Sequence, residues 1–112
     1  MARSPGSSEL LPGTLDLLIL RALRTETRPG YGIARRLRDV SSDVLHVGES
    51  SLYPALQRLL LDGYVRAEWG TSENNRRARY YSLTASGRKQ LVSEQAELER
   101  MIAAIYAVLQ FA

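Results

Sequence analysis

Ser50-Ser-Leu-Tyr-Pro-Ala-Leu-Gln-Arg-Leu-Leu-Leu-Asp-Gly63 decides how this chain is read. Leu52, Leu56, Leu59 and Leu60 recur at helical spacing and form one apolar stripe. At about 100° per residue, the opposite side takes Ser50, Tyr53, Pro54 and Gln57, with Ser51 and Arg58 flanking. Ser50 or Ser51 is expected to cap this helix. Pro54 is expected within the first turn, where a missing N–H costs nothing. Asp62-Gly63 should stop the helix. The expectation is a short helix with a leucine core face and an outward face that is polar and free of acid.

Upstream, Arg28-Pro-Gly-Tyr-Gly32 reads as a turn, followed by a helix to about Ser41. Ile33, Leu37 and Val40 make its buried stripe, and Arg35, Arg36 and Arg38 lie off it. Ser41-Ser-Asp43 and Val47-Gly48 form the connection to the next helix. Earlier still, Leu10-Leu-Pro-Gly-Thr14 is a helix-start signal with Thr14 as the cap. Leu15 to Leu23 is then apolar on nearly every side, which predicts a helix buried on several faces, one of them against a second subunit. Asp16, alone in that run, is expected to pair with a base or cap locally.

Downstream, Tyr64 to Trp69 alternates, with Val65, Ala67 and Trp69 on one face of a half-buried strand. Gly70 to Arg77 is a polar loop and Arg79 to Leu83 a second strand, together a hairpin with a long basic tip. Trp69, Tyr80 and Tyr81 are read as core or hairpin packing, and Asn74 and Asn75 as turn formers. Thr84 should cap a last helix reaching about Leu109. Along it Leu91, Gln95, Leu98, Ile102, Ile105 and Leu109 are spaced 4, 3, 4, 3, 4, a heptad seam that three short helices and a hairpin cannot cover.

Composition narrows the function classes. The chain has 112 residues, 45% of them hydrophobic and 24% charged, as expected of one globular domain. It has no cysteine and a single histidine, His46. That removes disulfides, thiolate metal sites and cysteine nucleophiles, leaves too little for a triad, and points to a cytoplasmic protein that is neither an enzyme nor a holder of a cofactor or metal. No apolar run approaches the roughly 20 residues that would span a membrane. Residues 1–9 are polar and read as a disordered lead rather than a secretory signal. The net charge is only +3, but basic residues cluster at 28–38 and 76–79 without acid between them. Fourteen of the fifteen bases are arginine, suited to forked contacts with phosphates and base edges.

Helix, helix, polar-faced helix, strand, basic loop, strand, long helix is the order of a winged helix-turn-helix, mainly α with a β-hairpin. Its third helix would enter a major groove and its hairpin would be the wing. Leu11-Pro-Gly-Thr-Leu-Asp-Leu-Leu-Ile-Leu20, Gly30-Tyr-Gly-Ile33, Gly48-Glu-Ser-Ser-Leu-Tyr-Pro-Ala-Leu56, Arg66-Ala-Glu-Trp69 and Arg79-Tyr-Tyr-Ser-Leu-Thr84 with Gly87 resemble the PadR family of bacterial transcriptional regulators. The Ser-Leu-Tyr-Pro-Ala-Leu string is the most distinctive part. The resemblance implies a winged helix-turn-helix over residues 10–84, a C-terminal dimerisation helix over 85–112, and the short subfamily with one such helix. It further implies repression through an inverted-repeat operator in double-stranded DNA, often with release by a small-molecule effector. Some short-subfamily members stack a flat ligand on a tryptophan of the last helix. Here that helix has only Tyr106 and Phe111 as aromatics, so a drug-sensing role does not carry over.

The expected DNA-contacting residues are Tyr31, Arg35, Ser50, Ser51, Tyr53, Pro54, Gln57, Arg58, Arg76, Arg77 and Arg79. Tyr31 is open between stapling the second helix and meeting a phosphate, and Arg35, Arg36 and Arg38 cannot all face one way. The Tyr53 ring could pack beneath the helix with only its hydroxyl offered outward. The expected dimerisation residues are Leu15, Leu18, Ile19, Leu91, Leu98, Ile102, Ile105 and Leu109. A winged helix used for protein contact or for non-specific nucleic-acid binding is the competing reading.

Overall fold

The computed structural model describes residues 13–111. The elements in order are α1 (Thr14–Ala22), β1 (Arg28–Pro29), α2 (Gly30–Val40), α3 (Glu49–Leu61), β2 (Val65–Thr71), β3 (Arg77–Leu83) and α4 (Ala85–Gln110). The expected lead over 1–9 and the Leu10–Pro12 start signal lie outside the described residues. α1 packs against α2, α3 and α4 and forms the centre of the molecule. Ile19, Leu20, Ile33, Leu52 and Leu56 are the large side chains wholly enclosed there. Among the described residues, no helix is long and apolar enough to cross a membrane.

Several local expectations change for identifiable reasons. Gly13, with φ 85°, is the N-cap of α1, so Thr14 is its first helical residue rather than its cap. The stretch Arg28 to Gly32 is not a turn. Arg28 and Pro29 form β1, pairing with Tyr81 and Tyr80, and the sheet runs β1-β3-β2 instead of being a two-stranded hairpin. A proline is tolerated there because β1 is an edge strand. Its extended backbone (φ −72°, ψ 165°) then makes it the N-cap of α2, which begins at Gly30. Val40 is 66% exposed, not part of the buried stripe, because α2 ends there and Ser42 and Asp43 turn the chain through positive φ.

α3 begins two to three residues earlier than expected. Gly48 is its N-cap, and no side chain caps it. Ser50 and Ser51 therefore lie in its first turn, and Pro54 is its sixth residue, inside the helix. Asp62-Gly63 ends it as expected: Gly63 takes φ 77°, its N–H donates to the Leu60 carbonyl, and that of Tyr64 donates to the Leu59 carbonyl. β2 and β3 are longer than anticipated, so the loop shrinks to Ser72–Arg76 and Arg77 belongs to a strand. Asn75, with φ 58°, and the Ser72 hydrogen bonds to Asn75 and Arg76 make the tip tight.

Thr84 caps α4 as expected, accepting from the Gly87 N–H at 2.9 Å. Its hydroxyl also donates to the Gly63 carbonyl at 2.7 Å, and its N–H donates to the Tyr64 carbonyl at 3.1 Å. Gly87 lies so close to the residue before β2 that a Cβ there would overlap the Tyr64 carbonyl oxygen. The heptad seam of α4 is divided. Leu91 is buried and Leu98 packs at the core's edge, whereas Ile102, Ile105 and Leu109 are exposed. Ile19 and Leu91, expected to face a second subunit, are enclosed by the chain's own core and have no surface left to offer. Leu15 and Leu18 are half-buried against that core.

Gly87→Ala is expected to cost about 3 kcal/mol, at the upper end for overpacking, because the obstructing atom is backbone. Thr84→Ala should cost about 1 kcal/mol, the usual loss for an N-cap. Urea unfolding of both variants checks the order; equal small losses would contradict it.

Candidate nucleic-acid interface

The outward face of α3 assembles as the leucine stripe requires. Leu52, Ala55, Leu56 and Leu59 are buried, which leaves Ser50, Ser51, Tyr53, Pro54, Gln57 and Arg58 exposed. Tyr53 leans back over the start of α2. A Cβ on Gly30 would stand 2.8 Å from the Tyr53 hydroxyl oxygen and 2.9 Å from its ring, so a larger residue there would push the tyrosine aside. Burial, and then the carboxylate of Glu49, push the Tyr53 hydroxyl above the ordinary phenol range. At neutral pH it is an un-ionised donor.

Arg58 is not an unengaged cation. Asp16 of α1 takes two of its N–H groups, at 2.8 and 3.4 Å, and this hydrogen bonding raises the arginine further above its ordinary value. The anticipated partner of Asp16 is thus a base on α3, and Arg58 is tied back toward α1 rather than standing clear on the flank. Arg28, counted in the first basic cluster, is also engaged: its Nε donates to the Ala22 carbonyl at the end of α1. Arg38 lies 3.9 Å from Asp43.

Two concavities flank the Tyr31–Tyr53 pair. One, of about 440 Å³, lies between α3 and the wing and is lined by Tyr31, Tyr53, Gln57, Trp69, Arg77 and Arg79, with no acid on its walls. The other, of about 810 Å³, has Arg35, Arg38 and His46 together with Glu49 and Glu73. The first is the electropositive groove. It joins Tyr31, Tyr53 and Gln57 to two of the three wing arginines, while Arg76 stands at the exposed tip. Arg35 is exposed on the second. Ser50, Ser51 and Pro54 sit on the α3 surface outside both.

Trp69, expected as core or hairpin packing, belongs to the hairpin and not to the core. Alternation puts it on the face of Val65 and Ala67, but the strand has left the body by that point, and its side chain is 59% exposed under Arg77. The signal was the pairing of a lone tryptophan with a basic strand. Tyr81 is buried as expected, and Tyr80 lies over Gly70 and donates to the Thr71 carbonyl. Among the described residues, no three metal-ligating side chains cluster.

The profile described as "Transcriptional regulator PadR-like family" matches residues 19–93. An uncharacterised protein of Lysinibacillus sphaericus is 30% identical over 98 residues, covering 85% of this chain and 90% of that protein. A transcriptional regulator from Clostridium thermocellum superposes with a TM-score of 0.80 at 29% identity, over 89% of this chain and 97% of that one. A PadR family transcription regulator from Clostridium difficile R20291 gives 0.75 at 26% identity, over 87% and 99%.

Gly30→Ala should displace Tyr53 and cost about 1–3 kcal/mol. In a double-mutant cycle with Tyr53→Ala, the paired loss should fall short of the sum by about 1 kcal/mol or more. Strict additivity in urea unfolding would show that the two residues do not share this contact.

Proposed function

We propose, from the premise that this chain belongs to the PadR-like family of transcriptional regulators, that it is a homodimeric repressor of an inverted-repeat operator. The family's members are DNA-binding regulators, not enzymes. What carries the reading is the acid-free groove in which Gln57 and Tyr53 of α3 face Arg77 and Arg79 of the wing. A helix with a short polar face fits a major groove about 12 Å wide, and forked arginines fit phosphate oxygens beside it.

Within this reading residues 10–84 form the DNA-binding unit and 85–112 the dimerisation helix. α4 supports the dimer through Ile102, Ile105 and Leu109, which its own fold leaves uncovered beside Met101 and Tyr106. Leu15, Leu18 and Leu98 can add their half-exposed edges. Ser50, Ser51 and Gln57 take the base-reading role. Tyr31, Arg35, Tyr53, Arg76, Arg77 and Arg79 take the backbone. Arg58 reaches a phosphate only beside its Asp16 partner. Repression, release by a small-molecule effector and a cytoplasmic location rest on the family resemblance.

A two-fold dimer presents its α3 helices to successive major grooves, so operator half-sites should repeat at about 10 bp or a multiple. Ile102→Asp with Ile105→Asp should yield a folded monomer, because both side chains are exposed in the single chain. Sedimentation of the variant as an unaltered dimer would place the interface elsewhere.

Arg76→Ala with Arg77→Ala should weaken operator and random DNA alike and flatten the salt dependence by about 0.9 for each phosphate no longer neutralised. Gln57→Ala should instead reduce base preference, by about 1–3 kcal/mol at one position per half-site, with the salt slope retained. Titrations at several salt concentrations separate the two; the reverse pattern would exchange reader and clamp.

A further inference from the structure

Opposed residues of an antiparallel pair share a face, so Ala67 with Tyr81, Trp69 with Arg79 and Thr71 with Arg77 make one continuous surface of the wing. That surface begins in the core at Val65 and Tyr81 and emerges at Trp69. Along it the Arg79 guanidinium lies 5.9 Å from the ring centres of both Tyr81 and Trp69. The Arg77 guanidinium lies 4.6 Å from the centre of Trp69. Ring and cation therefore alternate outward, Tyr81, Arg79, Trp69, Arg77, from a buried anchor to the end of the strand.

A guanidinium held over an aromatic face is attracted by the ring quadrupole, yet its five N–H donors lie in its own plane and stay available at the edge. An unstacked arginine near a hairpin tip samples many rotamers and gives up that freedom on binding. Stacking removes part of that cost in advance. The tryptophan is also poorly explained by packing, since more than half of it is exposed where the strand has left the core. Aromatic residues favour strands, but strand propensity alone does not place two guanidiniums on one indole.

We propose that Trp69 is a positioning residue for DNA binding: it holds Arg77 and Arg79 on the α3 side of the wing, so that the sugar-phosphate backbone meets guanidiniums already in place. This rests on the reading that α3 and the wing bind duplex DNA. Trp69 lines the same acid-free groove as Gln57 and Tyr53, so the side it fixes is the side the helix faces. Arg76, in the turn, lies beyond the stack.

The test titrates wild type, Trp69→Leu, Trp69→Phe, Arg77→Ala and the Trp69→Leu/Arg77→Ala double variant. The probes are an inverted-repeat duplex selected by binding and a random-sequence duplex, at several salt concentrations. Trp69→Leu should weaken both duplexes about two- to fivefold per wing, the scale of an exposed cation–π contact. It should leave the salt slope unchanged, because no charge is removed. Trp69→Phe keeps a ring face and should recover most of the affinity, which separates positioning from a collapsed hairpin. In the Arg77→Ala background, Trp69→Leu should cost less than it does alone. Trp69 is the only tryptophan in the chain, so its emission in DNA-free protein should also change in Arg77→Ala. Unchanged affinity in Trp69→Leu, or losses from the two substitutions that multiply independently, overturn the proposal and leave the DNA-binding reading standing. A selection with wild type that enriches no duplex, together with no binding to the random one, overturns that reading and the proposal with it.

Discussion

The junction at Thr84 is the contact on which the arrangement depends. One hydroxyl accepts from the first turn of α4 and donates to the carbonyl that follows α3, while the adjacent N–H closes onto the start of β2. The end of α3, the base of the wing and the start of the long helix are therefore fixed at one point. Gly87 permits this by its missing Cβ, since no side chain fits between α4 and the Tyr64 carbonyl. A shift here would move α3 relative to the wing, and the groove between them would lose the spacing that puts Gln57 opposite Arg77.

Composition does not distinguish the arginines that have a partner from those that have none. Arg28, Arg38, Arg58 and Arg100 have partners: the Ala22 carbonyl with Glu26, Asp43, Asp16 and Glu97. Arg35, Arg76, Arg77 and Arg79 make no ion pair among the described residues, and all are exposed around α2 and the wing. The modest net charge is thus misleading, because carboxylates engage some arginines, Arg58 among them, and among the described residues leave those of the wing without an ion pair. The Asp16–Arg58 pair has a further effect. It links α1, at the centre of the core, directly to the flank of the helix that faces outward.

Period-based features were legible in the sequence: four helices, two of the strands, the Gly63 stop and the Thr84 cap all follow from spacing and end signals. What was misjudged depended on tertiary position. Pro29 reads as a turn residue locally, but an edge place beside β3 makes it a strand residue and then a cap. Ile19 and Leu91 have the right spacing for an intersubunit seam, yet the chain's own helices reach them first. Trp69 obeys alternation and still leaves the core, because periodicity specifies a face but not how far the body extends beneath it. The outward residues of α3 were legible because a leucine stripe determines its own opposite. That Asp16 would hold Arg58 required the packing of α1 on α3, which local pattern does not contain.

Pro54 carries a consequence for how α3 meets anything. It has no N–H to return to the Ser50 carbonyl, so the turn holding Ser50, Ser51 and Tyr53 is short of one rung of its ladder. No side chain caps that end either. The leucines below clamp the middle of the helix, while its leading turn has fewer ties than the segment behind it. In the language of hydrogen exchange, the missing rung and the missing cap leave this end of α3 with fewer hydrogen bonds to protect its amides than the segment behind it. Leu52, wholly enclosed, still ties this turn to the core, so the freedom it leaves belongs to the outward side chains and their backbone amides rather than to the turn as a body.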